Sequence, residues 1–359
     1  MNRRKFLKTS ACFGAVAACS CLCGCNFNSR NSDDRFKLKS TDDLPRIVRL
    51  EACNDCQLNC AACWMRADEQ EIIKKAGGFG YLKFEDFKNF VDEYDFIEEI
   101  ELSNNGEIFL NPELDDIIKY AYEKGIRLAA ANGVNLNTVS DETLENLVKY
   151  KFFCMTVSID GATPEVYSIY RRGGDFNTVI NNIRKINKFK EQYGSDHPYL
   201  AYQFILFGHN EHEIDAAKAL AQELNMNIVF QENYVKDYSP LKNPKLVQEK
   251  TGLNLLGDDK EKEAQMKNES ELLCYQLEES PQINFNGDLL GCCVLHTRTF
   301  KANVFKEGFL EALNSPMMLK AKHMLADFSV EPDNSIPCAT CEEYINLKRQ
   351  NQPLKFKVS

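Results

Sequence analysis

At 359 residues the chain is long enough for two domains with real cores and a short appendage. A content of 44% hydrophobic and 27% charged residues excludes wholesale disorder. With a net charge of −10 and no basic stripe interleaved with aromatics, nucleic acid is excluded as a partner.

The first residues, MNRRKFLK, resemble a bacterial twin-arginine export signal through Arg3 and Arg4. Residues 9–29 carry no charge, as the apolar region of a signal should. Val16-Ala17-Ala18-Cys19 and Leu22-Cys23-Gly24-Cys25 both resemble a lipoprotein cleavage box, and Cys25 leaves the more normal apolar length. The expectation is an exported, membrane-associated protein lipidated at Cys25. An uncleaved anchor that keeps the protein on the cytoplasmic face is the alternative.

Residues 30–45 read as a polar linker, and strand then helix repeats from Arg46. Strands are predicted at 47–52, 96–102, 127–131, 153–159, 199–207 and 227–231. Helices are predicted at 84–94, 112–123, 141–150, 176–189 and 212–224, with Ser140 or Asp141 capping the third. Such alternation implies an α/β domain, residues 46–235, with a parallel sheet and helical crossovers. Residues 236–273 are charged and read as an interdomain segment with a helix. A second unit spans 274–345, where QINFNGDLLGCC reads as a hairpin with a type I′ turn at Asn286-Gly287. Residues 346–359 form a basic tail, and no repeat of solenoid period occurs.

Fifteen cysteines are many for such a chain, and most outside the first 25 residues cluster around 53–63 and 274–341. Cys56, Cys60 and Cys63 stand in CNDCQLNCAACWM with three residues, then two, between them. Three thiolates on one loop can hold three irons of a 4Fe–4S cluster and leave the fourth open to a small molecule. A structural zinc or a set of disulfides is the alternative, although zinc sites more often use paired C-x2-C knuckles and four protein ligands.

This loop, followed by Trp64, resembles the signature of the radical S-adenosylmethionine (radical SAM) enzymes. Further matches follow in order: Asn105-Gly106-Glu107, ANGV with Asn132, VSIDGATPEVYSIYRRGGDF from Val157, and Cys274, Cys292, Cys338 and Cys341. The last set resembles the auxiliary-cluster module called SPASM or, in its single-cluster form, twitch. The resemblance runs from about Arg46 to Tyr344. It implies a partial (β/α)6 barrel followed by a small cysteine-rich α+β auxiliary domain, with chemistry beyond the carboxyl ends of the strands. It implies two 4Fe–4S clusters, one binding SAM and one auxiliary. It also implies a low-potential electron donor such as flavodoxin or ferredoxin, and a peptide or small-molecule substrate.

Residue by residue, the resemblance gives Glu107 the SAM ammonium and Gly106 a close backbone approach. Ser158 would take the SAM carboxylate, and Arg171 or Arg172 would pair with a carboxylate. Asp160 would contact substrate or orient neighbours, and Gln203 and Asn210 would reach ribose or substrate. Read singly, Glu107 could equally cap the next helix, Asn132 could mark a turn and Asp160 could be a turn residue before Gly161. The second cysteine set could be a zinc ribbon. Cys53 and Cys154 are expected to be non-ligands, Cys154 a buried strand thiol. A rival in another class is an exported iron–sulfur electron carrier on the same scaffold.

Overall fold

The structure is a computed structural model and describes residues 32–63, 65, 74, 77–235, 237–257, 259–296 and 298–357. The export-like segment, with Cys25, and Trp64 lie outside the described residues. Among the described residues no helix is long and apolar enough to cross a membrane.

Six parallel strands form in the predicted places: β1 (Ile47–Leu50), β2 (Glu99–Glu101), β3 (Arg127–Val134), β4 (Cys154–Ser158), β5 (Tyr199–Leu206) and β6 (Asn227–Glu232). Each pairs with its sequence neighbour, and β6 does not return to β1, so the barrel is partial. Helices cover both the crossovers and the outer face: α1 (Phe84–Glu93), α2 (Leu114–Lys124), α3 (Asp141–Lys149), α4 (Pro164–Tyr170), α5 (Phe176–Tyr193) and α6 (Ile214–Glu223). A sheet buried on both faces needs near-continuous apolar strands. Val48 and Leu50 of β1 and Leu200, Tyr202, Phe204 and Leu206 of β5 are accordingly buried. The helices bury one stripe: Leu144, Leu147 and Val148 on α3, and Val179, Ile180, Ile183 and Ile186 on α5. Of the two candidate caps Ser140 serves, its Oγ accepting from Thr143 N at 3.0 Å.

Beyond β6 come α7 (Pro244–Thr251) and α8 (Asp259–Glu279). The latter runs through residue 274, so Cys274 lies on a helix that continues from the predicted interdomain segment. Then follow β7 (Gln282–Ile283), β8 (Leu289–Gly291), α9 (Val304–Glu307), α10 (Phe309–Leu313), α11 (Pro316–Ala326) and α12 (Glu342–Arg349). β7 pairs in parallel with β1, so the second unit extends the sheet of the first. Arg49 N donates to Pro281 O at 3.1 Å and Glu51 N to Ile283 O at 2.9 Å.

The β7–β8 hairpin forms as predicted, but its turn is not type I′. That turn needs positive φ at both central residues. Only Gly287 has it, at φ 86°, and Gly287 N closes a turn onto Asn284 O at 2.9 Å. Glycine thus sits one position past a tighter turn, where the left-handed residue restores the pairing.

The predicted linker and tail both pack. Phe36, Leu38 and Leu44 are buried, as are Leu354 and Phe356, and the Phe36 and Phe356 rings meet edge to face. Asn314 clamps Leu38, accepting its N–H at 2.7 Å and donating to its carbonyl at 2.9 Å. Asp33 contacts His323 of α11.

Candidate active site and second cysteine pocket

The cysteine loop leaves β1 at the carboxyl edge of the sheet. Backbone bonds fix it on several sides: Glu107 N to Asp55 O at 2.7 Å, Asn59 N to Arg172 O at 2.8 Å and Asn54 N to Gly80 O at 2.8 Å. Leu58, Cys60 and Ala61 bury against Tyr170, Ile205 and Phe207. Cys60 is buried, and Cys56 and Cys63 are half-buried. Burial, then the Glu107 charge and the sulfurs of Cys60 and Cys63, push the Cys56 thiol up to about 12. Thiolates crowded in this way need a positive partner, and a metal centre supplies one.

Among the described residues no three His, Cys, Asp or Glu side chains are arranged to hold a metal ion. Three thiols that share one loop and one electrostatic field suit the corners of an iron–sulfur cluster.

Gly106 is needed for the loop. A Cβ there would lie 2.1 Å from Cys53 O and 2.6 Å from Asp55 O, both backbone atoms. The close approach is therefore between two turns of the protein itself. Gly106→Ala is expected to displace the cysteine loop and to destabilise by about 1–3 kcal/mol, the usual cost of overpacking. Its reconstituted iron content should fall by about half. Wild-type iron and an unchanged unfolding midpoint in this variant would show that the turn has room to give.

Glu51, which nothing in the sequence singled out, organises the same turn. Its buried carboxylate accepts from Asn105 N at 2.9 Å and from Asn104 N and Gly106 N at 3.4 Å. Glu107 is buried too and accepts from Asn135 N at 2.6 Å and Phe109 N at 3.3 Å. It thereby caps the short turn Ile108–Leu110 and ties it to the end of β3, the capping role that its position allowed.

Burial raises Glu51 from 4.5 to about 8 and Glu107 from 4.5 to about 7, against the amides that oppose it. A carboxyl raised on folding favours the native state in its protonated form. That contribution is complete below about pH 4.5 and is lost as pH rises through about 7 and then about 8. The urea midpoint of the cofactor-free protein should therefore fall from pH 6 to pH 8.5, and fall less in Glu51→Gln. An equal fall in both would remove Glu51 as the cause.

The Val157–Phe176 match forms a buried network. Ser158 Oγ donates to Gln203 Oε1 at 2.7 Å, and Gln203 Nε2 donates to Gln231 at 2.9 Å. Asp160 is fully buried at φ 56°. Its Oδ1 accepts from Ile205 N at 2.7 Å and its Oδ2 from Arg171 Nε at 2.5 Å. Both oxygens are engaged within the protein, the arrangement of a residue that orients its neighbours, which is one of the two roles expected of Asp160. Asn210 is likewise structural, donating to the carbonyls of Asp160 at 2.9 Å and Ile205 at 2.8 Å. Of the two arginines, Arg171 turns inward, while Arg172 is exposed and donates to Ile169 O. Asn132 is exposed on the rim and donates to Asn104 Oδ1 at 3.1 Å.

Cys274, Cys292, Cys338 and Cys341 line one pocket, with Leu273, Leu277, Leu295 and Tyr344 as apolar walls and Glu343 beside them. They come from α8, the end of β8, the turn Pro337–Thr340 and the start of α12. Cys293 does not line it; its N–H donates to Gln276 at 2.9 Å and its carbonyl accepts from Asn104 Nδ2 at 3.3 Å. Burial raises all four thiols, Cys292 to about 12; neighbouring sulfurs add to the rise at Cys274, Cys292 and Cys338, and the Glu343 charge adds to it at Cys341. Backbone amides of Val294 and Leu295 face Cys292, and those of Glu343 and Tyr344 face Cys341. Amides aimed at sulfurs in a dry pocket suit an iron–sulfur centre. Cys53 is buried off the site; Cys154 is half-buried on β4, not fully buried as expected.

His296 was also missed. Its Nδ1 lies 2.7 Å from Asn105 Oδ1, so the second unit touches the turn beside the first cysteine loop. Burial lowers it to about 4, and the imidazole is neutral at physiological pH.

Residues 50–220 match the family model of the Radical SAM superfamily. This segment is a radical SAM domain, and the chain is an enzyme. The chain is similar in fold to Streptococcus suis SuiB bound to S-adenosylmethionine, at 15% identity and a TM-score of 0.59 over 88% of this chain and 77% of that one. It is also similar to SuiB bound to its precursor peptide SuiA, at 14% identity and a TM-score of 0.58 over 88% and 76%. No curated protein matches its sequence. The fold is the partial radical SAM barrel followed by a small cysteine-rich domain.

Proposed function

We propose that this enzyme cleaves SAM reductively and abstracts a hydrogen atom from a peptide side chain or a small metabolite. In this reading Cys56, Cys60 and Cys63 hold the SAM-binding 4Fe–4S cluster. Cys274, Cys292, Cys338 and Cys341 hold one auxiliary 4Fe–4S cluster. A flavodoxin or ferredoxin supplies the electron. A cluster held by Cys56, Cys60 and Cys63 would, given an electron from that donor, supply the reductive cleavage of SAM.

The protein's residues bind, orient and exclude water. The Asn104–Glu107 turn lies against the cysteine loop at the strand ends, and we assign Glu107 to the SAM ammonium and Ser158 to its carboxylate. The apolar seat of Leu58, Tyr170, Ile205 and Phe207 keeps one side of the loop dry. The observation that carries the reading is the three-thiol loop gripped between the Gly106 turn and Arg171.

Reconstituted, dithionite-reduced protein is expected to convert SAM to 5′-deoxyadenosine. Cys338→Ala should lose about four of eight irons while retaining some of this cleavage, by the ligand count above. Intact iron with no 5′-deoxyadenosine would favour the rival reading, an exported electron carrier.

A further inference from the structure

The Arg171 guanidinium meets three acceptors in three directions. Nε bonds Asp160 Oδ2 at 2.5 Å, Nη2 reaches Gln203 Oε1 at 3.4 Å, and Nη1 points at Cys60 Sγ at 3.7 Å. Its side chain is only 12% exposed and that of Asp160 not at all. We propose that Arg171 is a positioning residue that raises the reduction potential of the cluster on Cys56, Cys60 and Cys63 by holding a fixed cation and an N–H donor against the Cys60 sulfur. This rests on the functional reading above.

Burying an ion pair costs desolvation, and packing alone would be served by apolar residues of similar size. Here the pair is locked from behind. Asp160 adopts φ 56° although it is not glycine, and Ile205 N and Asn210 hold its oxygen and carbonyl. The lock aims the positive end of the pair outward at a single sulfur. A lysine ammonium concentrates its three donors on one atom; the planar guanidinium spreads its donors over three nitrogens and so reaches acceptors that stand apart.

Reduction adds one negative charge to a cluster. A nearby cation favours the reduced form, and hydrogen bonds to cluster sulfurs act in the same sense. Low local dielectric enlarges the effect. Asp160 lies behind Arg171, so the sulfur faces the nearer, positive partner.

The test is a dithionite potentiometric titration of the reconstituted enzyme, followed by the electron paramagnetic resonance signal that changes on adding SAM. Arg171→Gln should lower the midpoint potential, so that at a fixed potential the reduced-to-oxidised ratio falls roughly tenfold, as loss of one charge-assisted bond implies. Arg171→Lys should recover part of that loss. Asp160→Asn, which leaves the cation uncompensated, should shift the potential the opposite way. Opposite signs cannot arise from general damage to the fold. The proposal is overturned by iron-replete Arg171→Gln with wild-type potential, or by weaker SAM binding in that variant without any shift in its SAM-free potential. If Arg171→Gln does not take up iron, Asp160→Asn decides: an upward shift supports the proposal, and an unchanged or lower potential overturns it. A wild-type protein with no SAM-responsive signal would instead sink the reading of the site.

Discussion

Replacing Cys56, Cys60 and Cys63 together with alanine is expected to abolish SAM cleavage and to cut iron from about eight to about four per chain, by the ligand logic of two cubane clusters. The remaining brown absorption should be that of the second pocket, whose cysteines come from other elements. The fold should survive, because backbone bonds to Glu107, Arg172 and Gly80 fix the loop without help from the thiols. The unfolding midpoint of the cofactor-free variant should therefore match that of cofactor-free wild type. Stoichiometric zinc in the wild-type protein, with no iron–sulfur absorption, would sink both cluster assignments.

Asp160→Ala is expected to be among the most damaging single substitutions. It leaves Arg171 buried with its strongest partner gone and frees Ile205 N–H. Breaking one side of a buried ion pair costs about 3–5 kcal/mol. Removing both sides should cost less, so Asp160→Ala/Arg171→Met should unfold at higher urea than Asp160→Ala alone. A loss under about 1 kcal/mol for the single change, far below the range for buried pairs, would mean that water reaches the guanidinium. The cofactor-free protein is the right sample, since bound clusters would add their own stabilisation.

Much of this architecture was legible because parallel strands covered on both faces leave a strong signal. IVRL, CMTVS and YLAYQFIL are apolar runs separated by helical stripes, and each became the strand expected. The cysteine spacings were legible because ligands of one loop must stay close in sequence. Of the adjacent Cys292 and Cys293, Cys292 is the one that lines the pocket, as the set read from the sequence has it.

What stayed hidden was set by partners far along the chain. Glu51 reads as an ordinary strand-end residue, and its three amide donors lie more than fifty positions later. Asp160 reads as a turn residue or a reactive acid; only Arg171 and Ile205 give it a fixed task. The linker and tail looked polar because each buries only a few apolar side chains, such as Phe36 and Phe356, and they cover each other. The β7–β8 hairpin was legible from its turn, but strands of two and three residues carry no signal of their partner, and the pairing of β7 with β1 stayed hidden.

The pairing of β7 with β1 gives the small domain a second duty. β1 carries the first cysteine loop, and without β7 its outer edge would present unpaired N–H and C=O groups. Bare strand edges are templates for pairing with another molecule. The cysteine-rich unit therefore acts as an edge guard for the barrel. A chain cut after residue 235 would retain the SAM-side residues yet expose that edge, and would be prone to self-association through the strand that bears its own cofactor loop.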